Sequence, residues 1–96
     1  MGVAVSFTLR AQRDLEDIGS FILARNRRAA HKFRFLVAMA VTRLALYPYM
    51  GRSSGVSGAL EIGTGQYPYK IYYRVTAEHV EILHVRHASR NNPGPL

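Results

Sequence analysis

The residues best suited to chemistry crowd the last strand-like run, His84-Val85-Arg86-His87-Ala88-Ser89-Arg90. A histidine can act as base or acid near neutral pH, and an arginine can clamp a phosphate. These are types that a metal-independent nuclease would use. Their spacing sets a limit. In an extended strand His84 and Arg86 share one face and His87 lies on the other. The two histidines therefore cannot chelate one metal together. With no cysteine, no His-x₃-His pair and no acidic cluster, the expectation is no metal and no cofactor. Each histidine taken singly also reads as a sheet residue bonded to its neighbours.

Just upstream, Tyr67, Tyr69, Tyr72 and Tyr73 interleave with Lys70 and Arg74. Aromatic rings beside cations could stack on bases, as in single-strand binders. Alternation assigns Tyr69 and Tyr73 to a packed side and leaves Tyr72, with Lys70 and Arg74, as the exposed or functional candidate. A third cluster, Arg25, Arg27, Arg28, His31, Lys32 and Arg34, opens a helical segment. Cations there face the positive end of the helix dipole, so the placement costs stability. It reads as a docking surface for an acidic partner or a phosphate, or as a solvated basic face. Ser53, Ser54 and Ser57 lack the partners of a triad. Gly63-Thr64-Gly65 signals a turn and no phosphate cradle.

Charge supports an anionic partner. Thirteen Lys and Arg, eleven of them Arg, against six Asp and Glu give +7. That excess attracts nucleic acid, the ribosome or an acidic protein, and Arg favours bidentate contacts. Ninety-six residues, 48% of them hydrophobic, suffice for one core. The absence of cysteine fits a reducing compartment. Residues 1–9 carry no signal-peptide pattern, and the most apolar stretch, Phe35 to Leu46, is broken by Thr42 and Arg43. A soluble, cytoplasmic protein is expected.

The elements that must position these residues follow from periodicity. Val3, Val5 and Phe7 alternate as a strand, and Thr8 is placed to cap the helix that follows. Ala11, Leu15, Ile18 and Ile22 form that helix's apolar stripe, with Arg10–Asp14 and Arg13–Asp17 as i,i+4 pairs on its other face. Asn26 suits either the end of this helix or the cap of the next. A second helix is expected from about Arg28 to Tyr47, with Ala30, Phe33, Val37, Ala40, Val41 and Leu44 as its stripe and Pro48 as its stop. The pair makes an antiparallel hairpin. Met50 to Gly58, rich in Gly and Ser, reads as a flexible loop. Strands follow at Leu60 to Ile62, Tyr67 to Val75 and Val80 to His87. The fold class is α+β, in the order β-α-α-β-β-β: a helical hairpin packed on one face of a small antiparallel sheet. One domain spans residues 1–90, and residues 91–96 form a flexible C-terminal tail.

Several segments of the chain together resemble the RelE/ParE superfamily of toxins from type II toxin–antitoxin systems, closer to the ParE side. They are Ala11-x-x-Asp14-Leu15-x-x-Ile18, Asn26-x-x-Ala29-Ala30 and Leu44-x-x-x-Pro48-x-x-Gly51-Arg52. The Tyr67 to Val75 strand and the Ile82 to Arg90 ending complete the set. The resemblance covers most of the chain and implies the same helical hairpin on a small sheet. It implies a growth-inhibiting toxin that serves plasmid or chromosome maintenance and is neutralised by a cognate antitoxin whose C-terminal segment wraps it in a hetero-oligomer. The basic run Arg25, Arg27, Arg28, His31, Lys32 and Arg34 is the expected antitoxin surface. ParE-like members poison DNA gyrase, whereas RelE-like members cut mRNA on the ribosome. Leu60-Glu61-Ile62-Gly63-Thr64 lacks the basic residues that RelE-like toxins carry on this strand, which favours gyrase. On that reading no residue is catalytic, and Arg52, Lys70, Tyr72, Arg74, Arg86 and Arg90 are the target-binding candidates. On the alternative, an mRNA interferase, Lys70, His84, Arg86, His87 and Arg90 would carry the cut. A third reading is a non-toxic nucleic-acid or ribosome adaptor.

Overall fold

Two capping side chains set where the helices begin. In the computed structural model, which describes residues 2–65, 67–77 and 79–88, Thr8 Oγ1 accepts from Ala11 N–H at 3.1 Å and starts α1 (Leu9–Leu23). Asn26 Oδ1 accepts from Ala29 N–H at 3.0 Å and starts α2 (Arg27–Leu46). Each bond satisfies an amide that the helix itself leaves unpaired. Asn26 thus caps the second helix. Pro48 follows the end of α2, which cannot continue into it.

Before the helices runs β1 (Ala4–Phe7), and after them come β2 (Arg52–Ser53), β3 (Leu60–Thr64), β4 (Tyr67–Thr76) and β5 (His79–His87). They form one sheet in the order β1-β5-β4-β3-β2. The last four strands are antiparallel neighbours, β2 being one strand more than the three expected after the helices. The sheet as a whole is mixed, a correction to the expected antiparallel one, because β1 lies parallel to β5 with Ala4 opposite His79 and Phe7 opposite Ile82. Parallel pairing requires a long crossover. The helical hairpin and three strands provide it.

The helices cover one face of this sheet. Ala11 of α1 and Ala40 and Leu44 of α2 meet Ile71, Tyr73, Val80, Ile82 and Val85 in the main core. Ile22, Ala30, Phe33 and Val37 form a second cluster between the helices, and Phe33 meets Tyr69 edge to face at 5.1 Å. Leu15, Ile18 and Val41 are half-buried against these clusters, so both stripes face inward as their spacing demanded.

Two segments depart from the expected picture. Met50 to Gly58 is no free loop. Its Arg52 and Ser53 pair with Glu61 and Leu60. Ser54 Oγ donates to Ala59 C=O at 2.7 Å and accepts from Val56 N–H at 3.1 Å. Gly55 and Gly58 take the left-handed φ of 76° and 71° that this turn needs. The second departure is a β-bulge. Tyr73 stands opposite Ile82 but Tyr72 stands opposite His84, leaving Leu83 as the extra residue. The bulge turns both Ile82 and Val85 toward the helices, although they are three apart. Arg90 and the tail 91–96 lie outside the described residues.

Candidate functional site

Strand alternation sends every second residue of the core strands to the face away from the helices. Ile71 and Tyr73 point into the core, so Lys70, Tyr72 and Arg74 point away from it. Register adds their neighbours: Arg52 beside Glu61, Glu61 beside Tyr72, Tyr72 beside His84, and Lys70 beside Arg86. One polar face therefore gathers Arg52, Lys70, Tyr72, Arg74, His84 and Arg86. It brings together all the described target-binding candidates. It also gathers the described nuclease candidates except His87, which turns to the helical side and meets Tyr69 edge to face at 5.4 Å.

Tyr72 corrects one expectation. It is 1% exposed and is no surface ring. His84 stacks on it with ring centroids 5.8 Å apart and planes 16° from parallel. Arg86, two residues on along the same strand, covers it as well, its guanidinium 5.5 Å from the ring centre and its Nε donating to the Tyr72 hydroxyl at 2.8 Å. A buried phenol needs such a partner. Arg86 Nη1 also donates to His87 C=O at 3.0 Å.

His84 is anchored in turn by α1. Its Nδ1–H donates to Asp14 Oδ2 at 2.6 Å, and the same oxygen accepts from Val85 N–H at 3.0 Å. Burial, with the positive charges of Arg10 and Arg86, pushes the His84 pKa below its ordinary 6.5; the Asp14 bond and charge oppose the shift without reversing it. The neutral ring, with its proton on Nδ1, is the form this geometry holds.

At the outer edge, Glu61 is buried and ties two cations together. Arg52 Nε donates to it at 2.9 Å and Lys70 Nζ lies 3.6 Å away. The Arg52 side chain is largely exposed, so its pair contributes little by itself. Its role is to give a buried carboxylate a counter-charge, without which that burial would be costly. Arg43, Met50, Arg52, Glu61, Tyr69 and Lys70 line a cleft of about 570 Å³ along this edge. On the helical layer, Arg25, Arg27, Arg28, His31, Lys32 and Arg34 are all exposed. Arg25 folds back, its guanidinium 3.7 Å over the Phe21 ring and its Nη1 donating to Phe21 C=O.

Asp14 and Glu61 had no place among the sequence candidates. For Asp14, expected on the outer face as a partner of Arg10, the structure is a correction: it bonds His84 and Val85, and the signal was its place three residues after Ala11 and four before Ile18, on the inward arc of α1. Nothing local marked Glu61, whose burial depends on the pairing of β2 with β3.

A helical hairpin packed on a small sheet is the architecture that the sequence resemblance implied, though the sheet is mixed. Residues 5–92 match the family described as the ParE toxin of the type II toxin–antitoxin system, parDE. The chain belongs to the ParE toxin family. A candidate toxin of Sinorhizobium fredii, Y4kP, is 37% identical over 92 residues, spanning 96% of this chain and 95% of that one. The solved chromosomal ParDE system from P. aeruginosa superposes with a TM-score of 0.81 over 91% of this chain and 97% of that chain, at 21% identity. The toxin–antitoxin complex RelBE2 from Mycobacterium tuberculosis gives 0.65 over 93% and 95%, at 26% identity. The fold of this chain is thus shared with both solved systems.

Proposed function

We propose that this ParE-family toxin acts by binding, holding DNA gyrase in an inhibited state, and that a cognate antitoxin neutralises it by wrapping its basic surface. The observation that carries this reading is the placement of the histidines. A metal-free cut of RNA needs a base within reach of the 2′-hydroxyl and donors around the phosphate. His84 is buried, bonded to Asp14 through Nδ1 and stacked on Tyr72. His87 faces the helices. The rest of the polar face offers charge for contact through Arg52, Lys70 and Arg74, while Arg86 is itself buried over Tyr72 and Arg90 lies beyond the described residues. Tyr72 supports Arg86 from beneath and does not itself meet the target. The antitoxin surface of this reading is the exposed run Arg25, Arg27, Arg28, His31, Lys32 and Arg34.

A second reading, ribosome-dependent mRNA cleavage, is favoured by the convergence of Lys70, His84 and Arg86 on one face and by the likeness to the RelBE2 complex. Purified toxin separates the two. Inhibition of gyrase supercoiling with ribosome-bound mRNA left intact supports the first. Codon-spaced cleavage in a translating extract, lost on His84→Ala or His87→Ala, replaces it with the second.

A further inference from the structure

The four histidines, His31, His79, His84 and His87, sit in four different settings. His31 is exposed on α2. The Nε2 of His79 lies 2.6 Å from the Ser6 hydroxyl and is occupied by it. His87 has turned to the helical side against Tyr69. His84 has the Asp14 carboxylate on its Nδ1, so the lone pair of the neutral ring is left on Nε2. The ring bonds through Nδ1, and no buried side-chain nitrogen or oxygen among the described residues lacks a partner. Nε2 therefore lies in the 10% of the side chain that is exposed, on the polar face. Cations gather around it. On β4, Lys70 and Arg74 stand two residues either side of Tyr72, which pairs with His84, and Arg86 follows two residues on along β5. Arg10 of α1 also acts on the ring. Glu61 beside Lys70 and Glu81 opposite Arg74 temper this field.

We propose that His84 Nε2 is a phosphoryl acceptor, a modification site served by a small activated phosphoryl donor such as phosphoramidate. A nucleophile beside an orienting group is the arrangement such transfer needs. Asp14 fixes the ring through one oxygen, which also accepts from Val85 N–H and so cannot swing away freely. Burial keeps the ring unprotonated, and hence nucleophilic, near neutral pH. In the transfer the Nε2 pair attacks phosphorus, the donor's P–N bond breaks, and ammonia leaves with the electrons of that bond. The ring then carries the phosphoryl group on Nε2 and its proton on Nδ1. Asp14 offsets the positive charge that this places on the ring, and Lys70 and Arg74 are within side-chain reach of the phosphoryl oxygens. Arg86 adds charge from its seat over Tyr72. With one ring face stacked on Tyr72 and nine-tenths of the side chain covered, the opening suits a small donor and not a chain of nucleotides. The product places a charge of about −1.5 to −2 in the middle of a cationic face.

The test treats the full chain with phosphoramidate near neutral pH and maps the phosphorylated histidines by mass spectrometry under alkaline conditions. His84 should be labelled about tenfold faster than His31, although His31 is the exposed ring. Urea should erase that difference, because unfolding separates His84 from Asp14. Asp14→Asn should slow labelling of His84 by about tenfold and leave His31 unchanged. Lys70→Ala with Arg74→Ala should also slow His84 alone. If His31 in the folded wild-type chain is labelled as fast as His84 or faster, the proposal fails. That comparison needs no variant, so it decides the matter even where Asp14→Asn does not fold. A folded Asp14→Asn chain that labels at His84 with the wild-type rate would also overturn it, since the carboxylate would then play no part. So would a His84 rate in urea equal to that of the folded chain.

Discussion

Gly51 and Tyr73 are fitted to each other across the sheet edge. The Gly51 N–H donates to the Tyr73 hydroxyl at 2.9 Å, and a Cβ on Gly51 would stand 2.6 Å from that oxygen and 2.8 Å from the Glu61 carbonyl. Tyr73 is fully buried, and that burial raises its pKa above 10, against the smaller pull of the Gly51 bond. The phenol therefore stays neutral and needs the hydrogen bond.

Gly51→Ala should cost about 1 to 3 kcal/mol by overpacking and by loosening this bond. In a Tyr73→Phe background the further loss should be smaller, because the hydroxyl is gone, yet not zero, because the Glu61 carbonyl remains. Urea melts of the four proteins give the coupling. Simple additivity would show that the two residues do not interact.

Acid should weaken the fold through His84. Its folded pKa is below 6.5, so between 6.5 and that lower value the unfolded chain binds more protons. Stability from this group is complete above about pH 6.5 and falls as pH drops through the window, by at most about 1.4 kcal/mol per pH unit. Melts of wild type and His84→Gln between pH 7.5 and 5 provide the measurement. The variant should show the shallower slope, and equal slopes would contradict the assignment.

Much of this architecture was legible because it is local. Caps, stripes and the stop at Pro48 are written within a few residues of where they act, so α1 and α2 could be placed closely. The site was legible in part for the same reason: His84 and Arg86 share a face at any strand register. What escaped depends on distant partners. The bulge at Leu83 exists because β5 must serve Ile82 and Val85 to one core. Tyr72 is buried because His84 and Arg86 close over it, and no alternation rule sees the third dimension of a neighbouring strand.

Core packing predicts a ranking. Leu44 is fully buried and Leu15 half-buried. Leu44→Ala should cost roughly 2 to 5 kcal/mol and Leu15→Ala distinctly less. Equal losses in denaturant melts would mean that α1 packs more deeply than described.

Charge reversal probes the basic run. Arg27→Glu, Arg28→Glu and Lys32→Glu together should slow association with the antitoxin and flatten its salt dependence. Stopped-flow association rates across a salt series read both. An unchanged rate and slope would place the antitoxin elsewhere.

His87 discriminates mechanism. Because it faces Tyr69 and the helices, His87→Ala should leave growth inhibition largely intact. Lys70→Ala with Arg74→Ala should weaken inhibition through binding to gyrase. Growth curves under induced expression, with gyrase affinity measured alongside, would reverse this order if the protein cut RNA through His87.

The parallel pairing of β1 with β5 also sets a timetable for synthesis. Ala4 leaves the ribosome early, but its partner His79 is made some 75 residues later. The sheet therefore cannot close, nor its polar face assemble, until nearly the whole chain has been translated. A nascent copy therefore spends most of its time on the ribosome without that face, which comes into being only around release.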